Sequence, residues 1–202
     1  MSQQPVAVVC YNAGMDGDSQ YTYPVPIARA LAVADQRCAE ATGAGCHDAV
    51  FWVVDALTCY LGAVAVGQYS QAIYTGASEA DPTLNRSLRS LKRVLRGQWL
   101  LWAARGLGAT PGGPVQGLAQ WYVARSGGAV AEAYGAMHGV MVHLMGYEGE
   151  YGERREASPR DLLELADQYR IRLEKPGRDN LDEGAARGRA NTLLRGLHAA
   201  LE

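Results

Sequence analysis

Residues 48–78 read DAVFWVVDALTCYLGAVAVGQYSQAIYTGAS, and Asp55 is the only charged side chain after Asp48. A segment this long with so little charge has no polar face to present to water, so as a helix it must be surrounded by other elements. Its bulky residues recur mostly three and four positions apart, which is a helical period. These residues are Phe51, Trp52, Leu57, Tyr60, Leu61, Val64, Tyr69 and Ile73. We therefore predict a central helix wrapped on all sides by other helices.

Small residues lie along the same segment, notably Ala63 and Gly67. A glycine in a helix interior costs about 1 kcal/mol relative to alanine. We expect that these small residues allow a neighbouring backbone to approach the central helix closely.

The length of the chain favours one domain, and its overall charge leaves electrostatic recognition to local patches. A chain of 202 residues builds one substantial core. Its formal charge is -2 and 20% of its residues are charged. This balance gives no bulk signal for nucleic acid, membrane or an acidic substrate.

A membrane span is the alternative interpretation of the central stretch, because its uncharged part exceeds the ~20 residues that cross a bilayer. Thr58, Gln68, Ser70 and Gln71 lower its apolarity, and no basic anchors flank it. The N-terminus lacks a basic region and has about six consecutive apolar residues, too few for a signal peptide. We predict a cytoplasmic protein that does not bind a membrane.

The four cysteines are Cys10, Cys38, Cys46 and Cys59, and none forms a CxxC pair. Two of them fall inside apolar helical patterns. Buried free thiols are therefore the expectation, which fits a reducing compartment and disfavours a disulfide framework.

Taken in order, residues 1–23 are predicted to form an irregular N-terminal arm, and residues 24–202 a single bundle. Pro26 suits the first turn of a helix, because its missing N–H needs no partner there. Helix one is predicted over residues 26–41. Its inward residues are Ile27, Ala30, Leu31, Ala34 and Cys38, and its outward residues are Arg29, Asp35, Arg37 and Glu40.

A third helix is predicted over residues 83–108, with Asp81 as its N-cap, Pro82 at the first position and a bend at Gly97. At ~100° per residue its leucines and its cations form opposite stripes. The basic stripe consists of Arg86, Arg89, Arg93 and Arg96, with Lys92 at its edge. A row of guanidinium groups suits successive phosphates or an acidic protein surface; the alternative is a solvated face.

Further helices complete the predicted bundle. The segment 115–147 reads as one broken or two short helices hinged at Gly127 and Gly128. Ser158 and Asp161 resemble a capping pattern for the next helix. A last helix begins near Leu181. No strand pair, hairpin signal or repeat is found, so we predict an all-α single bundle of five to seven helices around the long apolar helix.

The sequence contains no strong catalytic or metal-binding motif. His138 and His143 are five residues apart and so diverge by ~140° around a helix. Cys46 and His47 match no common zinc spacing, and no serine or cysteine lies in a nucleophile motif. We predict no metal and no cofactor.

Asp55 is the acidic residue with the most unusual setting. A charge in an apolar segment is costly unless it is paired, so we expect an arginine or helix-end amide partner, with a functional role as the alternative. A small-ligand pocket inside the bundle is one possible function, and its predicted lining is Trp52, Asp55, Trp99 and Trp102.

The order of helices resembles a HEPN-type helical domain, found at the N-terminus of some multidomain bacterial proteins in defence and signalling. The resemblance is carried by four stretches and covers most of residues 21–201. They are YPVPIARAL, FWVVDALTCYLGAVAVGQYSQA, LRGQWLLWAARGLGA and RIRLEKPGRDNLDEGAARGRANTLLRGLHAAL.

The resemblance implies a helical bundle, a tendency to form homodimers and, in active members, RNA cleavage by an arginine and a histidine of an RNxxxH-like motif. The corresponding arginine is Arg170, but Ile171 replaces the usual Asn and Lys175 replaces the histidine. A lysine of pKa about 10.4 is protonated at neutral pH and does not accept a proton as histidine does.

We therefore predict a noncatalytic interaction or sensing module of a bacterial defence or signalling assembly. It is expected to bind a protein partner or RNA through the basic stripe and exposed aromatic side chains. The alternative is a metal-independent ribonuclease in which Arg170, Arg172 and Lys175 act on RNA phosphates.

Overall fold

The computed structural model describes residues 23–40, 43–89, 94, 96–108, 115–145, 156–173 and 183–202, and within these ranges the chain is all-helical. The described residues form eight α-helices, so the predicted all-α class is confirmed, whereas the predicted number of five to seven helices is too low because the third predicted helix is divided into two. The helices are α1 (Val25–Glu40), α2 (Gly43–Tyr74), α3 (Pro82–Leu88), α4 (Arg96–Gly108), α5 (Gln116–Val123), α6 (Gly128–Met145), α7 (Pro159–Leu173) and α8 (Glu183–Leu201). The predicted arm lies almost wholly outside the described residues.

Helices α1 and α2 form a hairpin, and α1 has the faces that its sequence predicts. All five predicted inward residues are buried, and all four predicted outward residues are exposed. The expectation of free thiols is wrong for two cysteines, because Cys38 and Cys46 form a disulfide across the hairpin turn. The cause is tertiary: α1 packs on α2, and the Cα atoms of Cys38 and Cys46 lie 4.3 Å apart. Cys59 is free and exposed.

The long helix α2 is central, but it is not wrapped on all sides. Its buried face packs against α1, α4 and α8 through residues such as Val50, Leu57 and Leu61. Over Gly45–Tyr74 the helix is long and apolar enough to cross a membrane. Its most apolar 18-residue stretch has a mean hydropathy of 1.9, and 56% of that stretch is buried within the bundle. The remaining face includes exposed residues from Asp48 to Tyr74.

The close helix contact on α2 involves a different face from the one that Ala63 and Gly67 occupy. A Cβ added to Gly106 of α4 would lie 2.8 Å from the carbonyl oxygen of Ala65, and one added to Gly62 would lie 2.9 Å from the carbonyl oxygen of Trp99. Backbones can approach this closely only where a side chain is absent. By contrast, a Cβ on Gly67 would meet nothing within 4 Å.

The predicted third helix is divided into two. The Asp81 side chain caps α3 by accepting hydrogen bonds from the amides of Thr83 and Leu84, with Pro82 at the first position, as predicted. Helix α3 nevertheless ends at Leu88, and α4 begins at Arg96. A 3.6-residue period continues across this break, so periodicity alone could not reveal it.

The α3–α4 pair closes a second, smaller core. Tyr69, Leu84 and Trp102 are buried together, and Trp102 Nε1 donates a 2.7 Å hydrogen bond to Ser87 Oγ. Trp99 packs edge-on against Trp102, with 4.9 Å between the ring centroids. These aromatic residues therefore fill the interior.

The second half of the chain forms the hinge and the helix cap that its sequence predicts. Gly128 begins α6 with a φ of +59°, a conformation that favours glycine, at the hinge that the sequence predicts. Ser158 and Asp161 form the expected reciprocal cap of α7, with the Asp161 amide donating to Ser158 Oγ and the Ser158 amide donating to Asp161 Oδ2. Helix α6 packs on α7 and α8, which completes the main core.

Candidate functional site

Two arginines from other helices meet the carboxylate of Asp55 on α2. Arg170 Nη1 of α7 donates a 2.8 Å hydrogen bond to Asp55 Oδ2, and Arg96 Nε of α4 lies 3.7 Å from Asp55 Oδ1. The Asp55 side chain is 30% exposed and that of Arg170 is 19% exposed. The expectation that Asp55 meets an arginine is confirmed. One carboxylate thus links three helices.

Aromatic rings hold Arg170 in place. Its guanidinium lies over the Phe51 ring, 5.6 Å from the ring centroid, a cation–π geometry. The Phe51 ring in turn stacks on Tyr169, with 5.8 Å between centroids. The Tyr169 hydroxyl accepts a 3.1 Å hydrogen bond from Arg189 Nε of α8. A polar and aromatic layer therefore joins α2, α7 and α8.

His47 borders the same layer. Its ring centroid lies 4.6 Å from that of Phe51, and its Nδ1 lies 3.6 Å from Asp48 Oδ1. Burial lowers the pKa of His47 below 6.5; Asp48 opposes this shift, and the charges of Arg170 and Arg189 add to it. Its Nε2 atom is buried without a hydrogen-bond partner among the described atoms. At neutral pH the ring is therefore uncharged.

These contacts bear on the residues named for the ribonuclease alternative. The Arg170 guanidinium is occupied by Asp55, and His47 turns its Nε2 inward, away from solvent. The Arg172 side chain and Lys175 lie outside the described residues. The described geometry places Arg170 against Asp55 and Phe51 within the bundle, and it buries the Nε2 atom of His47.

The predicted basic stripe is not a single helix face. Arg86 belongs to α3 and Arg89 follows its last turn; both are exposed and form no ion pair with a described residue. Arg96 begins α4 and pairs with Asp55. Lys92 and Arg93 lie outside the described residues. Of the stripe, Arg86 and Arg89 are exposed cations, and Arg96 is exposed but paired with Asp55.

A stronger sequence signal surrounds these two arginines. Residues 82–131 contain seven basic residues and no acidic one, although the whole chain has a formal charge of -2. The remainder of the chain therefore carries -9. Within the basic segment, Arg105 pairs with Asp81 at 3.0 Å. Counting charge in long windows finds this asymmetry, whereas the spacing of single arginines does not.

The four residues suggested for a ligand pocket do not surround a common cavity. Trp52 is 44% exposed, whereas Trp102 is 1% exposed in the second core. Trp99 meets Gly62, which is seven residues, or about 10 Å, along α2 from Asp55. A cavity of about 10 Å³ is lined partly by Leu57 and Trp121, and none of the four suggested residues lines it. That volume is comparable to one water molecule.

In the part of the chain that the structure describes, no group of three or more His, Cys, Asp or Glu side chains could hold a metal ion. His138 stacks on Tyr134 with 5.8 Å between ring centroids, and the His143 side chain is outside the described set.

No protein-family model matches the sequence, no curated protein matches it, and no solved structure matches its fold.

Proposed function

We propose that this chain is a noncatalytic helical interaction module that binds an anionic surface, of a protein or of RNA, through the edge that carries Arg86 and Arg89. The observation that carries this proposal is the segregation of charge along the chain. Residues 82–131 have a formal charge of +7 within a chain of net charge -2. A local excess of one sign attracts partners of the opposite sign.

Arg86 and Arg89 differ from Arg96 and Arg105 in their partners, because all four side chains are exposed. Arg96 and Arg105 have carboxylate partners, Asp55 and Asp81, so their charges are partly neutralised. Arg86 and Arg89 are exposed and have no such partner among the described residues. Guanidinium groups bind carboxylates and phosphates in a bidentate manner, which makes free arginines suitable contacts for either partner class.

The noncatalytic part of the proposal rests on the Asp55 cluster. A catalytic arginine must reach the reacting group, and Arg170 is bound to Asp55 and covered by Phe51. We further propose that the bundle is HEPN-like and serves within a larger bacterial defence or signalling assembly, as the four helical stretches suggest.

Heparin, a generic polyanion, provides the first test. We expect the wild-type protein to be retained on immobilised heparin and the double variant Arg86→Glu/Arg89→Glu to elute at distinctly lower salt. The matched control is Arg29→Glu/Arg37→Glu on α1, which makes the same change in net charge at two exposed arginines. Far-ultraviolet circular dichroism must show that all three proteins are equally helical.

Fluorescence anisotropy with a labelled single-stranded RNA then distinguishes the partner classes. RNA binding that weakens steeply with salt and is lost in the α3 variant identifies nucleic acid as the partner. Heparin retention without RNA binding points to an acidic protein surface. If both double variants elute from heparin together with the wild type, the proposal fails.

A further inference from the structure

Arg105 is an exposed arginine of the basic segment, and it pairs with a carboxylate at the start of α3. Its side chain is 44% exposed, and its Nη1 atom lies 3.0 Å from Asp81 Oδ2. Asp81 is the N-cap of α3, the helix that bears Arg86, and Arg89 follows the last turn of that helix. The ion pair between Arg105 and Asp81 therefore adjoins the edge that carries Arg86 and Arg89.

Asp81 is held in place without help from Arg105. Its Oδ1 atom accepts hydrogen bonds from the amides of Thr83 and Leu84, at 2.7 and 3.0 Å. Its own amide donates a 2.7 Å hydrogen bond to the Tyr69 hydroxyl on α2. The hydrogen bond from the Leu84 amide, followed by that from Arg105, lowers the pKa of Asp81, so its carboxylate is charged at neutral pH. Asp81 is thus a fixed anion at the start of α3.

The backbone at Arg105 is fixed, whereas its head group faces water. The next residue, Gly106, packs against the backbone of Ala65, where an added Cβ would lie 2.8 Å from the carbonyl oxygen. A guanidinium group has five N–H donors, and the hydrogen bond to Asp81 occupies one of them. An ion pair this exposed is weak, so a second anion can compete for the guanidinium.

We infer, on the basis of the proposed function, that Arg105 is a third anion-binding residue of this edge and that Asp81 competes with the partner for it. The partner supplies an oxyanion, a phosphate or a carboxylate, which Arg105 binds in place of Asp81 Oδ2. Asp81 continues to cap α3 after this exchange, because the cap uses its other oxygen.

The spacing of the three arginines suits one extended polyanion. Asp81 precedes Arg86 by five residues and Arg89 by eight, which is about 7.5 Å and about 12 Å along a helix axis. The Arg105 guanidinium lies beside Asp81, at the start of this span. A partner that contacts Arg86 and Arg89 therefore needs to extend by only one or two charged groups to reach Arg105.

A purely structural role for the ion pair predicts an effect of the opposite sign. If the pair only fastens α3 to α4, removing the Asp81 charge loosens α3 and weakens anion binding. If Asp81 competes with the partner, removing its charge releases Arg105 and strengthens anion binding. Asn and Ser are N-caps as good as Asp, so Asp81→Asn and Asp81→Ser remove the charge and keep the cap of α3.

Fluorescence anisotropy with fluorescein-labelled heparin measures the dissociation constants. We expect Asp81→Asn and Asp81→Ser each to bind about two- to fivefold more tightly than the wild type, the range for an exposed ion pair. The gain should disappear when Arg105→Gln is added, because Arg105 is the residue that Asp81 releases. Glu132→Gln is the matched control, because Glu132 is exposed on α6 and the substitution makes the same change in net charge.

Two further probes identify the oxyanion. The same gain with labelled single-stranded RNA assigns it to phosphate, and the same gain with labelled polyglutamate assigns it to carboxylate. A gain that persists in Asp81→Asn/Arg105→Gln, or an equal gain in Glu132→Gln, overturns the inference, because net charge alone then raises the affinity. Weaker or unchanged binding by both Asp81 variants also overturns it. The proposed function fails separately, when Arg86→Glu/Arg89→Glu binds heparin as tightly as the wild type.

Discussion

The carboxylate of Asp55 on α2 is bound to the guanidinium of Arg170 on α7, with 2.8 Å between Oδ2 and Nη1. These residues are 115 positions apart in the sequence. The pair joins the central helix to the second half of the chain at a site that is mostly shielded from water. A charge in such a place is tolerated because its partner and the Phe51 ring replace part of its hydration.

Removing the Asp55 charge should destabilise the protein. Asp55→Asn keeps the shape but leaves the Arg170 guanidinium without its counter-charge, and hydrogen bonds to charged groups contribute about 1.5–3 kcal/mol. We expect the free energy of unfolding, measured by urea denaturation, to fall by about 1–3 kcal/mol. A double-mutant cycle with Arg170→Met isolates the pair. Costs that simply add in the double variant would show that the two residues do not interact.

The disulfide between Cys38 and Cys46 should contribute to stability under oxidising conditions. It closes a loop of sequence separation 8, and the chain-entropy relation gives roughly 2–3 kcal/mol for a loop this short. The variant Cys38→Ser/Cys46→Ser should be less stable than the wild type by that amount, and the difference should vanish when the wild type is reduced. Alkylation followed by intact-mass measurement should show two fewer reactive thiols before reduction than after it.

Local chemistry accounts for the parts of the fold that the sequence predicts correctly. Asp81 with Pro82, Ser158 with Asp161, and the hinge at Gly128 each depend on a few neighbouring residues, so capping and turn rules suffice. The two faces of α1 follow from its period. The all-helical class follows from the same periodicity repeated along the chain.

The errors arise where distant segments decide the outcome. The period alone does not show which face of α2 meets a neighbour, and the structure places Gly62 at the contact and Gly67 in the open. The pairing of Cys38 with Cys46 depends on how α1 packs on α2. At the candidate site, the need of Asp55 for a cation was predictable, but the identity of Arg170 as that cation required the packing of α7 on α2.

The close contact between α2 and α4 should make Gly106 intolerant of a side chain. In Gly106→Ala the new Cβ would lie within 3 Å of backbone atoms of Ala65, so one of the two helices must move. We expect a loss of about 1–3 kcal/mol in the free energy of unfolding. Gly108→Ala is a matched control on the same helix, because its Cβ would meet nothing within 4 Å. Equal effects of the two substitutions would contradict the observed packing.

Acid should destabilise the fold through His47. Burial lowers the pKa of His47 in the native state below the 6.5 of an exposed histidine. At a pH between these two pKa values, the unfolded chain binds a proton at His47 and the native protein does not. The free energy of unfolding therefore falls as the pH drops below about 7 towards the native pKa of His47. His47→Gln removes this proton-binding difference, so its stability should depend less steeply on pH between 7 and 5.

Urea denaturation of both proteins across that interval gives the two slopes, and the histidine Cε1 proton resonance reports the native pKa of His47 directly. The direction of the pKa shift of His47 identifies its cause. If the nearby carboxylate of Asp48 outweighed burial, the pKa of His47 would rise above 6.5 and the wild type would gain stability relative to the variant as the pH falls. A steeper loss in the wild type means that burial beside Phe51, together with the charges of Arg170 and Arg189, keeps the His47 ring uncharged in the native state.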